Sequence, residues 1–127
     1  MREFDINTTK IFVGKSAIDN TELVNLYSGT SYTWFHLHDL PSSHLVIEKN
    51  IKDLTDEEKD VCSNLVKYYS KYKKEWTKKY WVNIVCIDNV KTNRTPGLVT
   101  ITDGKKFKIK PNFNFKPDNY NIKKNEK

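Results

Sequence analysis

No stretch of this chain approaches the roughly 18 apolar residues of a membrane-spanning helix. Its first residues, MREFDINTTK, hold no apolar segment of the kind a secretory leader needs. Cysteine is scarce: Cys62 sits inside a helical pattern and Cys86 inside an apolar strand-like run. Both read as buried reduced thiols, which excludes a disulfide scaffold and points to a cytosolic or nuclear compartment, with the cytoplasm as the expected location. Catalytic signatures are missing as well. Ser42 and Ser43 lie in no G-x-S-x-G elbow and have no visible acid partner, whereas a serine nucleophile needs an oriented base and an oxyanion site. Gly14-Lys15 lacks the G-x-x-x-x-G-K-[ST] spacing of a phosphate-binding loop. With no internal repeat and no linker, the expectation is a single non-enzymatic domain, without cofactor or metal.

What is present is a globular composition with an uneven charge. The 127 residues are 37% hydrophobic and 13% aromatic, enough to bury a core without staples. The net charge of +6 conceals two unlike halves. Residues 1–66 hold 6 Lys and Arg against 11 Asp and Glu, a charge of −5; residues 67–127 hold 16 against 5, a charge of +11. A field divided in this way suits a polyanionic partner, nucleic acid first.

The element pattern is that of an α+β domain. KIFVGK (residues 10–15) reads as a short strand ending at Gly14, and Ser16 as the cap of a helix reaching about Ser28. Tyr32–His38 and His44–Glu48 read as a hairpin around Pro41-Ser42-Ser43. Thr55-Asp-Glu-Glu58 is a capping box that opens a second helix, with Val61, Cys62, Leu65, Val66 and Tyr69 as its apolar stripe. Tyr80–Ile87 reads as a central strand and 88–97 as a loop. Leu98–Thr102 and Lys106–Lys110 read as a hairpin around Asp103-Gly104, ended by Pro111. Together these predict a mixed, mostly antiparallel sheet of about five or six strands, with two main helices on one side. The domain spans 1–111 and a basic Asn/Lys-rich tail spans 112–127.

Two groups of residues carry chemistry. In the hairpin, His36 and His38 share a strand face with Trp34, and His44 begins the return strand. Three histidines and Asp39 have the side-chain types of a zinc site, but their spacing favours polar anchors or direct phosphate or base contacts. The second group is the basic-aromatic stretch 67–81. Lys67, Lys71, Lys74 and Lys78 follow at steps of four, three and four, one exposed row if the helix runs that far. Lysines neutralise phosphates, and exposed aromatics stack unpaired bases. Tyr69, Tyr80 and Trp81 are expected in the core, with Tyr72 and Trp76 exposed.

The motifs, in this order, resemble the NFACT-R domain of the ribosome-quality-control NFACT proteins. The resemblance covers about Lys10 to Pro111. It rests on Val13-Gly14-Lys15-Ser16-Ala17 followed by Asn20 and Leu23, then Trp34-Phe35-His36, then Asp39-x-Pro41-x-Ser43-His44. It continues through Tyr68-Tyr69-Ser70, Val90-Lys91 and Pro96-Gly97-x-Val99. The chain departs from the family pattern at Tyr32, Ser42 and Lys15, where an acidic residue, glycine and arginine are usual. The resemblance implies RNA binding tied to ribosomes or tRNA. The expected contact surface is the lysine row 67–78 with Lys15, Lys91 and Arg94. Lys15, Asn20, Trp34, His36, Ser43, His44 and Lys91 form the family-like cluster. Two rivals stay open: an adaptor whose basic half docks an acidic protein, and DNA binding by the same surface. The oligomeric state is not legible.

Overall fold

The computed structural model describes residues 1–75, 77–109 and 114–121. Along the chain run β1 (Arg2–Ile6), β2 (Thr9–Val13), α1 (Ala17–Tyr27), β3 (Tyr32–Leu37), β4 (Leu45–Asn50) and α2 (Asp56–Tyr68). They are followed by β5 (Tyr80–Cys86), β6 (Val90–Thr92), β7 (Val99–Ile101) and β8 (Lys105–Ile109). Six strands form one antiparallel sheet in the order β1-β2-β4-β3-β5-β8, and β6 pairs with β7 in a separate ribbon. The α+β class is as expected.

The helix starts follow from local chemistry. Ser16 caps α1 by accepting the Asp19 amide at 3.1 Å. At the start of α2, Thr55 Oγ1 accepts the Glu58 amide at 3.1 Å and Glu58 Oε1 accepts the Thr55 amide at 2.9 Å, which closes the capping box. Lys49 Nζ on β4 lies 2.9 and 3.0 Å from the two oxygens of the fully buried Glu58. Burial pushes the Glu58 carboxyl up, but the Thr55 and Lys49 hydrogen bonds outweigh it and hold it below the usual range.

Side chains alternate across the sheet, and each face carries one helix. Ile11, Phe35, Leu37, Leu45, Ile47 and Val82 point to α2, where Val61, Cys62, Leu65 and Val66 meet them. Trp34, Val46 and Val85 point the other way, to Leu23, Val24 and Tyr27 of α1. The expectation of helices on one side is corrected: β3, β4 and β5 have two apolar faces, and a single helical layer would leave one bare.

Several sequence expectations shift for identifiable reasons. Strand β1 carries no hairpin signal in the sequence, because its turn, Asn7-Thr8, is not an Asn-Gly pair; both residues nonetheless take positive φ (49° and 67°), as this two-residue hairpin loop requires. Segment 88–97 is not wholly loop, since Val90–Thr92 is β6. The expected hairpin around Asp103-Gly104 does not form: β7 pairs with β6, while β8 crosses to the large sheet beside β5. Cys62 is buried, but Cys86 is only half-buried; both thiols are free. Helix α2 stops at Tyr68, because Lys67 Nζ turns back onto the Tyr72 and Lys73 carbonyls at 2.9 and 3.3 Å and Ser70 Oγ donates to the Lys67 carbonyl. The expected end of a strand at Pro111, the domain boundary there and half of the 112–127 tail lie outside the described residues.

Candidate nucleic-acid interface

Alternation along β3 places Trp34 and His36 on the α1 face, with His44 opposite them at the start of β4. Trp34 and His44 are buried. Trp34 donates its indole N–H to His44 Nδ1 at 3.3 Å, and the two rings meet edge to face at 5.1 Å. His36 stacks on Trp34 with ring centres 5.5 Å apart and planes 1° apart, and also meets His44 edge-on at 5.0 Å.

Helix α1 with the turn before it, and the Gly97 loop, clamp this ring cluster. The His44 amide donates to Asn20 Oδ1 at 3.2 Å, and the Gly14 amide donates to the His44 carbonyl at 3.0 Å. A Cβ on Gly14 would come within 2.0 Å of Asn20 Oδ1, so only glycine admits this approach. From the other side, the Gly97 amide donates to Thr21 Oγ1 at 2.8 Å, with Gly97 at φ +83°. The Gly97 backbone also hydrogen-bonds the His44 ring.

The electrostatics make the cluster neutral. Burial, then the neighbouring His36, push His44 down to about 3, against an opposing pull from the Gly97 bond. Burial also lowers His36, with the Leu37 backbone bond opposing. Because Nδ1 of His44 accepts from Trp34, its proton sits on Nε2. His38 lies apart from this cluster, with Nδ1 3.1 Å from Asn83 Oδ1 and Nε2 3.0 Å from Asp39 Oδ2. Among the described residues no three His, Cys, Asp or Glu side chains are grouped to hold a metal ion.

Two hollows open beside the cluster. One, of about 610 Å³, is lined by Trp34, His36, His44, Asn83 and the Pro96–Leu98 turn. The second, of about 300 Å³, is lined by Lys15, Ser43, Tyr69, Ser70 and Lys71. They share Ala17, Asn20, Pro41 and Ser42 as a common rim and form one furrow with a neutral end and a cationic end. Ser43 fastens the turn to the end of α2, its Oγ donating to the Tyr69 carbonyl at 3.1 Å.

The expected site residues therefore separate. Asn20, Trp34, His36 and His44 line the first hollow, and Lys15, Ser43 and Lys71 the second. Lys67, expected at the surface, is only 4% exposed and serves the turn after α2. Without a helix beyond Tyr68 the lysine row does not exist as a row. Lys74 and Lys78 are exposed, and Lys78 lies 3.9 Å from Glu75. Lys91 on β6 and Arg94 in the following loop are exposed and line neither hollow.

The aromatics are redistributed too. Tyr80 is buried, as expected, whereas Tyr69 is half-buried. Tyr72, expected exposed, is half-buried against Tyr80 with rings 5.6 Å apart. Trp81, expected in the core, is 45% exposed, and Trp76 lies outside the described residues. Sequence reasoning also missed Asn83, which lines the first hollow. The signal was available in β5, where buried Tyr80, Val82 and Ile84 force Trp81 and Asn83 to the opposite face.

Comparison with known proteins adds three findings. A family model described as the NFACT protein RNA binding domain matches residues 4–106. The protein Rqc2 homolog RqcH from Streptococcus suis is 33% identical over 110 residues, covering 81% of this chain and 18% of that protein; its Streptococcus pneumoniae counterpart is 32% identical over the same shares. The chain thus spans about a fifth of the length of the curated relatives it matches. A solved structure of the C-terminal part of the fibronectin/fibrinogen-binding protein from Streptococcus suis is 28% identical, with a TM-score of 0.82, over 95% of this chain and 49% of that one.

Proposed function

This chain belongs to the NFACT protein RNA-binding domain family, and on that premise we propose that it is a non-enzymatic module binding structured RNA, rRNA or tRNA, in a ribosome-associated, cytoplasmic role. The observation that carries the reading is the furrow. Its cationic end offers Lys15 and Lys71 to phosphates, and its neutral end offers a rigid floor of Trp34, His36 and His44. Phosphate contacts supply affinity and a preformed, clamped hollow supplies shape selection. His36 and His44, being neutral, act as fixed polar walls and not as cations. Lys67 is removed from the contact surface by its burial, and Lys74, Lys78, Lys91 and Arg94 add to the surrounding positive field.

Anisotropy titrations against labelled tRNA, an rRNA stem-loop, DNA of the same sequence and polyglutamate test this. RNA should bind more tightly than either competitor. Equal binding of DNA would favour the DNA reading, and preference for polyglutamate would favour an adaptor that docks acidic proteins.

A further inference from the structure

The sheet face that carries the ring cluster is not wholly covered. Helix α1 roofs Trp34, Val46 and Val85, and the β6–β7 ribbon adds Val90, Val99 and Ile101 to the same cluster. Towards the β8 edge this cover ends. There Trp81 is 45% exposed, directly paired with exposed Lys108, whose Nζ lies 5.2 Å from the indole centre. Two residues along β5 on the same face, Asn83 is paired with exposed Lys106 and lines the large hollow. The spacing of such same-face neighbours is about 6.6 Å, so the exposed indole and the hollow form one continuous surface.

An indole left in water on a strand otherwise filled with core residues is a cost that packing does not explain. Its alternation partners Val82 and Ile84 are buried, so the fold itself does not need a large aromatic at this outward position. The lysines alone have an ordinary explanation, since charged side chains protect an edge strand from pairing. A tryptophan does not serve that purpose.

We infer that Trp81 is a stacking platform for an unpaired base of single-stranded RNA, with Lys106 and Lys108 neutralising the flanking phosphates. This rests on the RNA-binding reading and deepens it by naming a single-stranded segment that runs from the furrow across β5 to the β8 edge. A π face accepts any base, so the platform adds affinity and little sequence preference.

The test uses the full chain, a twelve-nucleotide oligo(A) RNA and a blunt-ended RNA duplex, whose bases are paired and unavailable. Trp81→Ala should weaken oligo(A) binding about tenfold or more, the scale of one lost base stack, and leave duplex binding unchanged. Trp81→Phe should retain most of the single-strand affinity. Lys108→Gln should weaken oligo(A) binding modestly and reduce its salt dependence. If Trp81→Ala binds oligo(A) like the wild type, the platform is overturned while RNA binding stands. An equal loss on both RNAs, or a lowered melting temperature that accounts for the loss, would also overturn it by making Trp81 structural. A wild-type chain that binds neither RNA would instead refute the RNA-binding reading itself.

Discussion

His44 accepts the indole N–H of Trp34 on its Nδ1 at 3.3 Å, and this bond fixes the tautomer of the most buried histidine in the molecule, which burial keeps neutral. The bond needs a free lone pair on Nδ1. Protonating the ring destroys it and places a cation beside His36 in a buried cluster.

The fold should therefore lose stability on mild acidification. His44 titrates near 3 when folded against 6.5 for an ordinary histidine, and His36 is also lowered. Between those values the unfolded chain binds the proton and the folded chain does not. For His44 the stabilisation is complete above 6.5 and drains away as pH falls towards 3, at up to about 1.4 kcal/mol per pH unit, and His36 adds a loss in the same direction. Glu58, held below 4.5, adds its own loss only at lower pH. Urea midpoints measured from pH 7 to pH 5 isolate the histidines, and a flat midpoint over that range would contradict the neutral cluster.

Gly14→Ala should destabilise by about 1–3 kcal/mol, the usual cost of forcing an atom into packed space. The new Cβ meets Asn20 Oδ1, the group that accepts the His44 amide. Gly14→Ala/Asn20→Ala should cost less than the two single changes added together, because the clash and the lost hydrogen bond are one event. Strict additivity in denaturant melts would show that the two residues do not meet.

Two lysines four residues apart should behave oppositely. Lys67→Met strands two turn carbonyls and should cost about 1–3 kcal/mol in stability. Lys71→Glu, at the rim of the small hollow, should change stability by no more than about 0.5 kcal/mol while weakening RNA binding. Lys74→Glu, which lines neither hollow, should weaken it less. A Lys71→Glu protein with wild-type RNA affinity would remove the cationic end of the furrow from the interface.

Affinity for duplex RNA should fall steeply with salt, by about −0.9 on the log–log slope for each phosphate neutralised. Lys15→Gln and Lys71→Gln should each make the slope shallower by about one contact. A wild-type slope near zero between low and moderate salt would leave no place for phosphate contacts.

Much of this arrangement was legible because it depends on neighbours in sequence. The capping box at Thr55, the Ser16 cap and the β3–β4 hairpin are set by residues a few positions apart. What escaped was decided at a distance. Whether 67–78 continues a helix depends on one ammonium group folding back onto Tyr72 and Lys73. The partner of β7 depends on a competition between β6 and β8 that the turn residues Asp103-Gly104 do not settle. Trp81 looked like core because its strand is apolar, yet its exposure follows from where the α1 side of the sheet runs out of cover. The cluster of Trp34, His36 and His44 is visible as a group, but its neutrality is not, since that arises from burial beside Asn20 of α1 and the Gly97 loop, 24 and 53 residues from His44.

Phe4 on β1 forms an isolated antiparallel bridge with Asn121, and Phe115 and Tyr120 pack against the α2-side core. The first strand and the last described turn are thus laced together on one flank, opposite the β8 edge in strand order. Bringing residues 4 and 121 together closes a long loop of chain, so β1 is held by its hairpin partner β2 and also by a segment far along the sequence. The same lacing makes residues near Phe115 part of the wall around Phe4, so trimming the chain ahead of Phe115 would expose the sheet at β1, next to Tyr69 of the small hollow.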